Sequence, residues 1–234
     1  MTSSGFSIRQ VTRHNELDAC VALERSIWGA DAEVDERASL VVASRFTGHV
    51  LGAFDGDTLI GMALSFYMAS GDRMHSHRVG VLPGYQNRGV GLRLKLAQRD
   101  AALAQRVRII EWTFDPLQAR NAHFNLVRLG AVARTYLPNL YGLSASPLHA
   151  GLPTDRLLVE WDLAGPRVIA ALQNRPPARH PETVRIELPP RAFRGDLALQ
   201  AQLRQHLQER LAQGYAITGF ATEADRDFYL LEIL

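Results

Sequence analysis

The chain of 234 residues has a single cysteine, Cys20, so no intrachain disulfide can form. Cys20 falls in an amphipathic stretch, where a buried structural thiol is expected. Lysine is almost missing as well. Lys95 stands alone and every other strong base is arginine, whose fixed fork suits phosphates and carboxylates. No apolar run reaches the roughly 18 residues that a membrane-spanning helix needs. Residues 1–5 lack a basic-then-apolar leader pattern. There is no Lys/Arg tract, and the formal net charge is only +2 with a pI near 8.9, which speaks against nucleic-acid binding. These absences point to a cytoplasmic protein with neither a membrane nor a nucleic-acid partner. Hydrophobic residues make up 47% of the chain, enough for a real core.

Residues 6–11 alternate like a first strand, and residues 16–28 read as a helix with Leu17, Cys20, Val21, Leu23 and Trp28 on its apolar side. A second helix is expected over 34–45. Two strands follow at 49–54 and 59–68, turned by Gly56-Asp57. Residues 73–82 form a fourth strand, stopped by Pro83-Gly84. A helix over 89–105, a fifth strand over 107–114, and a short helix over 120–129 closed by Gly130 come next. Two more strands are expected at 131–136 and 157–163. After Gly165 the texture changes, with Pro166, Pro176, Pro177 and Pro181 punctuating the chain. A β-α-β-β set then spans 184–234, its helix capped by Asp196 and lined by Leu199, Leu203, Leu207 and Leu211. This reads as a domain over 1–165 and a C-terminal α/β lobe over 166–234. The lobe either covers an acceptor cleft or makes a homodimer through its edge strand.

The most informative stretch is Val79-Gly80-Val81-Leu82-Pro83-Gly84-Tyr85-Gln86-Asn87-Arg88-Gly89-Val90-Gly91-Leu92, where a strand enters a glycine-rich turn that opens a helix. First-turn N–H groups of a helix have no intrahelical acceptor, and the dipole adds partial positive charge, so phosphates bind there. Gly89 and Gly91 keep side chains out of the way, and Arg88 adds a cation. A Walker loop needs Gly-Lys-Ser/Thr, whereas Gly91-Leu92-Arg93 stands here. A dinucleotide fingerprint needs a glycine where Leu94 stands.

Gln86-Asn87-Arg88-Gly89-Val90-Gly91 resembles the Gln/Arg-x-x-Gly-x-Gly/Ala signature of the GNAT acyltransferases, and Val81-Leu82-Pro83 before it is similar to the family's Val-x-Pro element. The resemblance covers about residues 6–163. It implies an α+β fold with a mixed, mostly antiparallel sheet flanked by helices. It also implies acyl-coenzyme A as cosubstrate, acetyl-CoA first, with succinyl-CoA or another donor possible. By the same resemblance Val79 and Val81 would pair through their backbones with the pantetheine amides. Gln86, Asn87, Arg88, Gly89, Val90, Gly91 and Leu92 would form the pyrophosphate turn, and Asn121 would contact the pantetheine arm. Residues 113–122 resemble a bacterial branch of the family that carries a similar C-terminal extension.

For the chemistry, an amine must lose a proton before it attacks a thioester, and histidine titrates in the right range. His75 and His77 stand two apart on the fourth strand, and this His-x-His is similar to the proton-relaying pair of arylalkylamine N-acetyltransferases. Glu111 shares a strand face with Thr113 and is a second candidate base. Asp115 reads as a helix cap. The family's acid tyrosine is replaced by Leu126, leaving Tyr141 or Tyr136 as substitutes. Arg73, Arg78 and Arg134 are candidates for binding a substrate carboxylate. No cluster of Cys, Asp or Glu joins the histidines at metal-ligand spacing, so no metal is expected. The expected activity is acyl transfer to a small-molecule amine or amino acid. The alternatives are a protein or peptide N-acetyltransferase and a non-catalytic acyl-CoA-binding module.

Overall fold

A computed structural model describes residues 5–29, 34–142, 152–175, 180–190 and 196–234; Pro176 and Pro177 of the proline-punctuated stretch lie outside them. The chain forms two compact units, Met1–Ile110 and Glu111–Leu234.

In the first unit, β1 (Phe6–Gln10), β2 (Gly48–Asp55), β3 (Thr58–Tyr67) and β4 (Arg73–Val81) lie side by side in chain order, each antiparallel to the next. The helices are α1 (His14–Trp28), α2 (Arg37–Val42) and α3 (Val90–Ala104). Alternation along the strands gives the sheet two apolar faces. One gathers Leu17, Cys20, Leu23, Leu40, Val50, Met62 and Leu64 beneath α1 and α2. The other gathers Leu51, Ala53, Ile60, Ala63, Val90 and Leu94 beneath α3. Cys20 is fully buried, and burial, with Glu24 and Glu16 nearby, pushes its thiol up to about 12, as a structural thiol requires. The second helix is shorter than its expected 34–45. It starts at Arg37, after Asp35 has been pinned by α1, and runs on into a π-helical turn, Ala43–Thr47.

The second unit takes up β5 (Ile109–Phe114), which begins at the boundary, and then α4 (Ala119–Ala122), continued by a π-helical turn over His123–Arg128. β6 (Val132–Leu137), β7 (Arg156–Asp162) and α5 (Pro166–Leu172) follow. β8 (Val184–Glu187), α6 (Leu197–Ala212), β9 (Tyr215–Glu223) and β10 (Arg226–Ile233) complete it. The β-α-β-β set is present, with Asp196 capping α6 through the Ala198 and Leu199 amides. Its strands extend the sheet: β9 lies antiparallel to β6, and β8 is the outer strand beside β10. Trp112 and Trp161 meet edge to face at 6.1 Å in the core. Their indole N–H groups donate to Asn125 and to the Leu129 carbonyl. The result is a mixed α+β architecture on a mostly antiparallel sheet. Among the described residues no helix is long and apolar enough to cross a membrane.

Candidate functional site

The corner after β4 is made almost entirely by the main chain. Pro83 ends the strand and starts a single 3-10 turn, Pro83–Tyr85, in which the Tyr85 amide donates to the Leu82 carbonyl. Asn87 (φ 61°) and Gly89 (φ 81°) are both left-handed, and Gly89 caps α3 by accepting from the Arg93 amide. Val90, Gly91 and Leu92 therefore supply first-turn N–H groups with no acceptor inside the helix. Gly91 is informative because its backbone is helical. A glycine in a helix costs about 1 kcal/mol against alanine, and here the only atom a Cβ would meet within 4 Å is Val81 Cγ2 at 3.9 Å. Packing inside the chain does not explain the glycine. A cradle that a side chain would fill does, so the residues present fit a pyrophosphate. Gln86 braces the corner, its Nε2 donating to the Val81 carbonyl at 3.2 Å. Arg88 is exposed beside the Tyr85 ring.

Four residues before Val81 the strand carries a bulge. Leu64 pairs with Arg78, but Ser65 pairs with Ser76, which leaves His77 as an extra residue on β4. Strand parity flips there. Before it, Ser76 faces α3, where it meets Lys95 and Gln98; after it, Val79 and Val81 do. His77 and Arg78, consecutive in sequence, consequently reach the same carboxylate on the α1 side. His77 Nε2 lies 3.4 Å from Asp35 Oδ1, and Arg78 Nε lies 2.8 Å from Asp35 Oδ2. The Arg78 contact is an ion pair off hydrogen-bond alignment. Burial acts to raise the Asp35 carboxyl, but His77 and Arg78 outweigh it and hold the group below the usual Asp range. Behind Asp35, the fully buried Glu24 accepts from the Asp35 amide at 2.8 Å. Burial pushes Glu24 up to about 7. Arg78 also lies over the Trp28 ring. His77 keeps about a third of its side chain exposed. Its other ring neighbours are Phe66 at 5.8 Å and His75 at 6.3 Å.

The first unit thus carries His75, His77, Val79, Val81 and the whole turn from Gln86 to Leu92 on one strand and the corner that follows it. On the other side of β4, Lys95 is buried against Ser76, and burial drives its ammonium well below the ordinary lysine value. Asp35 and Glu24 escaped the sequence reading. The sequence pattern places residue 35 in a helix, and nothing local marks either carboxylate as a partner of His77.

The second unit holds Glu111, Tyr141 and Asn121. Glu111 and Thr113 share a half-buried face of β5, and Thr113 Oγ1 meets the Tyr141 hydroxyl at 3.3 Å. Tyr141 is largely exposed, with Arg156 over its ring. Asn121 is exposed on α4. Leu126 is buried in the π-helical turn. Tyr136 donates to Asp155 at 2.6 Å, and burial raises its hydroxyl far above the tyrosine range, which suits a structural role. Asp115 accepts from the Leu117 amide, two residues before the start of α4, whose N-cap position is held by Gln118 without a side-chain capping bond. Of the arginines proposed for substrate, Arg78 is committed to Asp35 and Arg134 lies 3.8 Å from Glu160. Among the described residues no group of three or more His, Cys, Asp or Glu is placed to hold a metal.

Residues 17–130 match the model of the acetyltransferase (GNAT) family. Solved structures with the same fold include yncA, a putative acetyltransferase from Salmonella typhimurium with its cofactor acetyl-CoA. It is 16% identical, covers 69% of this chain and 96% of its own, and has a TM-score of 0.55. The ribosomal-protein-S18-alanine N-acetyltransferase of Escherichia coli is 15% identical, with 69% and 97% covered and a TM-score of 0.55. Arabidopsis thaliana Naa50, in complex with the bisubstrate analogue CoA-Ac-MVNAL, is 18% identical, with 66% and 97% covered and a TM-score of 0.53. A comparison with the curated proteins found no sequence match. With the family's fold and its glycine corner in place, residues 17–130 form a domain of the GNAT superfamily of acyl-CoA-dependent N-acyltransferases.

Proposed function

We propose that the chain transfers an acetyl group from acetyl-CoA to the amine of a small molecule or amino acid, with His77 as general base. In this reading residues 1–165 carry the transfer and 166–234 extend them. The first-turn amides at Val90, Gly91 and Leu92 hold the diphosphate, with Gln86, Asn87, Arg88 and Gly89 shaping the turn. The backbone of Val79 and Val81 aligns the pantetheine arm, with Asn121 contacting it. His77 takes a proton from the ammonium, the freed nitrogen attacks the thioester carbonyl, and the carbon–sulfur bond breaks to release the thiolate. His75 serves as relay. Glu111 is the alternative base. Tyr141 is the candidate proton donor to the thiolate, in the role that Leu126 cannot fill.

The observation that carries this reading is the bulge, which aims a partly exposed imidazole off β4 a few residues upstream of the glycine corner. A cavity of about 480 Å³ adjoins Asp35, walled by Asp18 and Glu36 on one hand and Arg25 and Arg37 on the other. Mixed charge of this kind suits a zwitterionic amino acid. The peptide reading draws on the S18-alanine and Naa50 neighbours. A thiol-release screen of acyl donors against small amines, amino acids and short peptides tests both. Turnover confined to peptides overturns the small-acceptor reading. CoA binding without thiol release above background hydrolysis leaves only an acyl-CoA-binding module. His77→Ala should lower kcat by a factor on the order of 10², and wild-type turnover in that variant removes His77 from the chemistry.

A further inference from the structure

We infer that Asp35 is a positioning residue for the transfer: its carboxylate holds His77 in the Nε2–H tautomer and leaves Nδ1 as the atom that accepts the proton of the amine. The inference rests on the assignment of His77 as base. Its ground is the direction of the contact, since the Asp35 oxygen lies 3.4 Å from Nε2. A carboxylate accepts and cannot donate, so the ring nitrogen facing it carries hydrogen and the other carries the lone pair. In the transfer step one proton passes from the ammonium nitrogen to Nδ1, giving an imidazolium whose Nε2–H still points at Asp35. The amine nitrogen, now with its lone pair, forms the bond to the acyl carbon, the carbon–sulfur bond breaks to release the thiolate, and the nitrogen gives up a second proton to water as it becomes the amide. The imidazolium is then discharged to water or to the thiolate.

Asp35 is itself held from two sides. Glu24 accepts its backbone N–H, and Arg78 lies against its second oxygen. The charged and titratable groups around His77, among the described residues, are therefore Asp35 from the segment before α2, Glu24 of α1 behind it, and Arg78 and His75 of β4. Phe66 of β3 supplies an apolar ring edge. No motif announces this set. It exists because the extra residue at position 77 puts two successive side chains on one side of the strand.

The test pairs a spectroscopic readout with a kinetic one. In the full-length chain labelled with ¹⁵N-histidine, the two ring nitrogens of His77 are read at a pH where the imidazole is neutral. The wild type should show hydrogen on Nε2. Asp35→Ala should populate both tautomers and lower kcat by about 10- to 100-fold, with KM for the amine changed less than about twofold. Asp35→Asn keeps the size and one acceptor oxygen. It should hold the tautomer through that oxygen and lose part of kcat, because the imidazolium formed in the transfer step no longer faces a full negative charge. It also serves if the alanine variant does not fold. Hydrogen on Nδ1 in the wild type overturns the inference. An unchanged tautomer in Asp35→Ala, with His77→Ala inactive, sinks the role of Asp35 alone. Wild-type turnover in His77→Ala sinks the base assignment beneath it.

Discussion

At its C-terminal end β4 runs into a corner built from amides, two left-handed residues and glycines with open space beside them. A few residues upstream the same strand carries a histidine in a cluster of two carboxylates and an arginine, one carboxylate wholly buried. In the proposed function the corner grips with main-chain amides, which carry no titratable charge. The bulge works through side chains drawn from α1, the segment before α2, and β4, so it depends on how these pack and on which of them is charged. In the proposed function the first kind of site binds and the second reacts. The proposed mechanism needs both on one strand.

The largest expected effect lies at the corner. Gly91→Glu puts a carboxylate where the cradle is open. An acid in the first turn favours the helix itself, so folding should be unharmed while CoA affinity falls by about 100-fold, or roughly 2.7 kcal/mol. Calorimetry reads the affinity and thermal melting the stability. Undiminished binding in a folded variant would break the claim that this turn holds the diphosphate.

The bulge end should show itself through pH. Glu24 titrates near 7 in the folded chain against 4.5 in its ordinary state. Between those values the native state keeps a proton that the unfolded chain has lost, so stability falls as pH rises from about 4.5 through 7. Glu24→Gln should flatten that fall and leave the variant more stable than wild type above pH 7, by about 1–3 kcal/mol. Asp35 works in the other direction and in another window. Its lowered value contributes stability above the ordinary Asp range near 3.8, which is lost only as pH drops below it. Urea unfolding from about pH 2 to pH 8 separates the two. An identical slope for Glu24→Gln and wild type would mean that Glu24 is ionised throughout.

The same contrast decides what the sequence could reveal. The corner was legible because a strand, Pro83, Gly89 and Gly91 at fixed spacing constrain the main chain locally, and the chain's own dihedrals then follow. The histidines were legible as residue types two apart on a strand. Their surroundings were not. The bulge depends on a one-residue slip against β3, and neither Ser65 nor Ser76 marks it. Asp35 falls at the start of the helix expected over 34–45, and nothing in the sequence shows that Glu24 fixes its backbone instead. In the second unit the β-α-β-β set was legible from leucine spacing and the Asp196 cap, but not the continuation of its β9 along β6, which pairs residues 84 positions apart.

A smaller effect is expected from Arg88→Ala. The guanidinium is exposed, so its contribution to holding a diphosphate should be about 10-fold in affinity at low salt and should shrink toward nothing near 1 M salt. The main-chain grip of Gly91 should survive that salt. Equal salt sensitivity in wild type and Arg88→Ala would mean that another cation does the work.

Gln86→Ala should have the smallest effect and makes the sharpest test of whether the two ends of β4 act separately. The Gln86 amide donates to the Val81 carbonyl across the corner, a bond worth about 1 kcal/mol net. Without it the turn is less well held, and a ligand must supply the lost order when it binds. CoA affinity should fall about two- to fivefold, and amide hydrogen exchange should quicken from Arg88 to Leu92. Neither the tautomer of His77 nor kcat at saturating donor should move, because the bulge is fixed from α1 and from the segment before α2. A fall in kcat as large as the fall in affinity would show that order travels up the strand from the corner to the imidazole. Binding and reaction would then be one device instead of two.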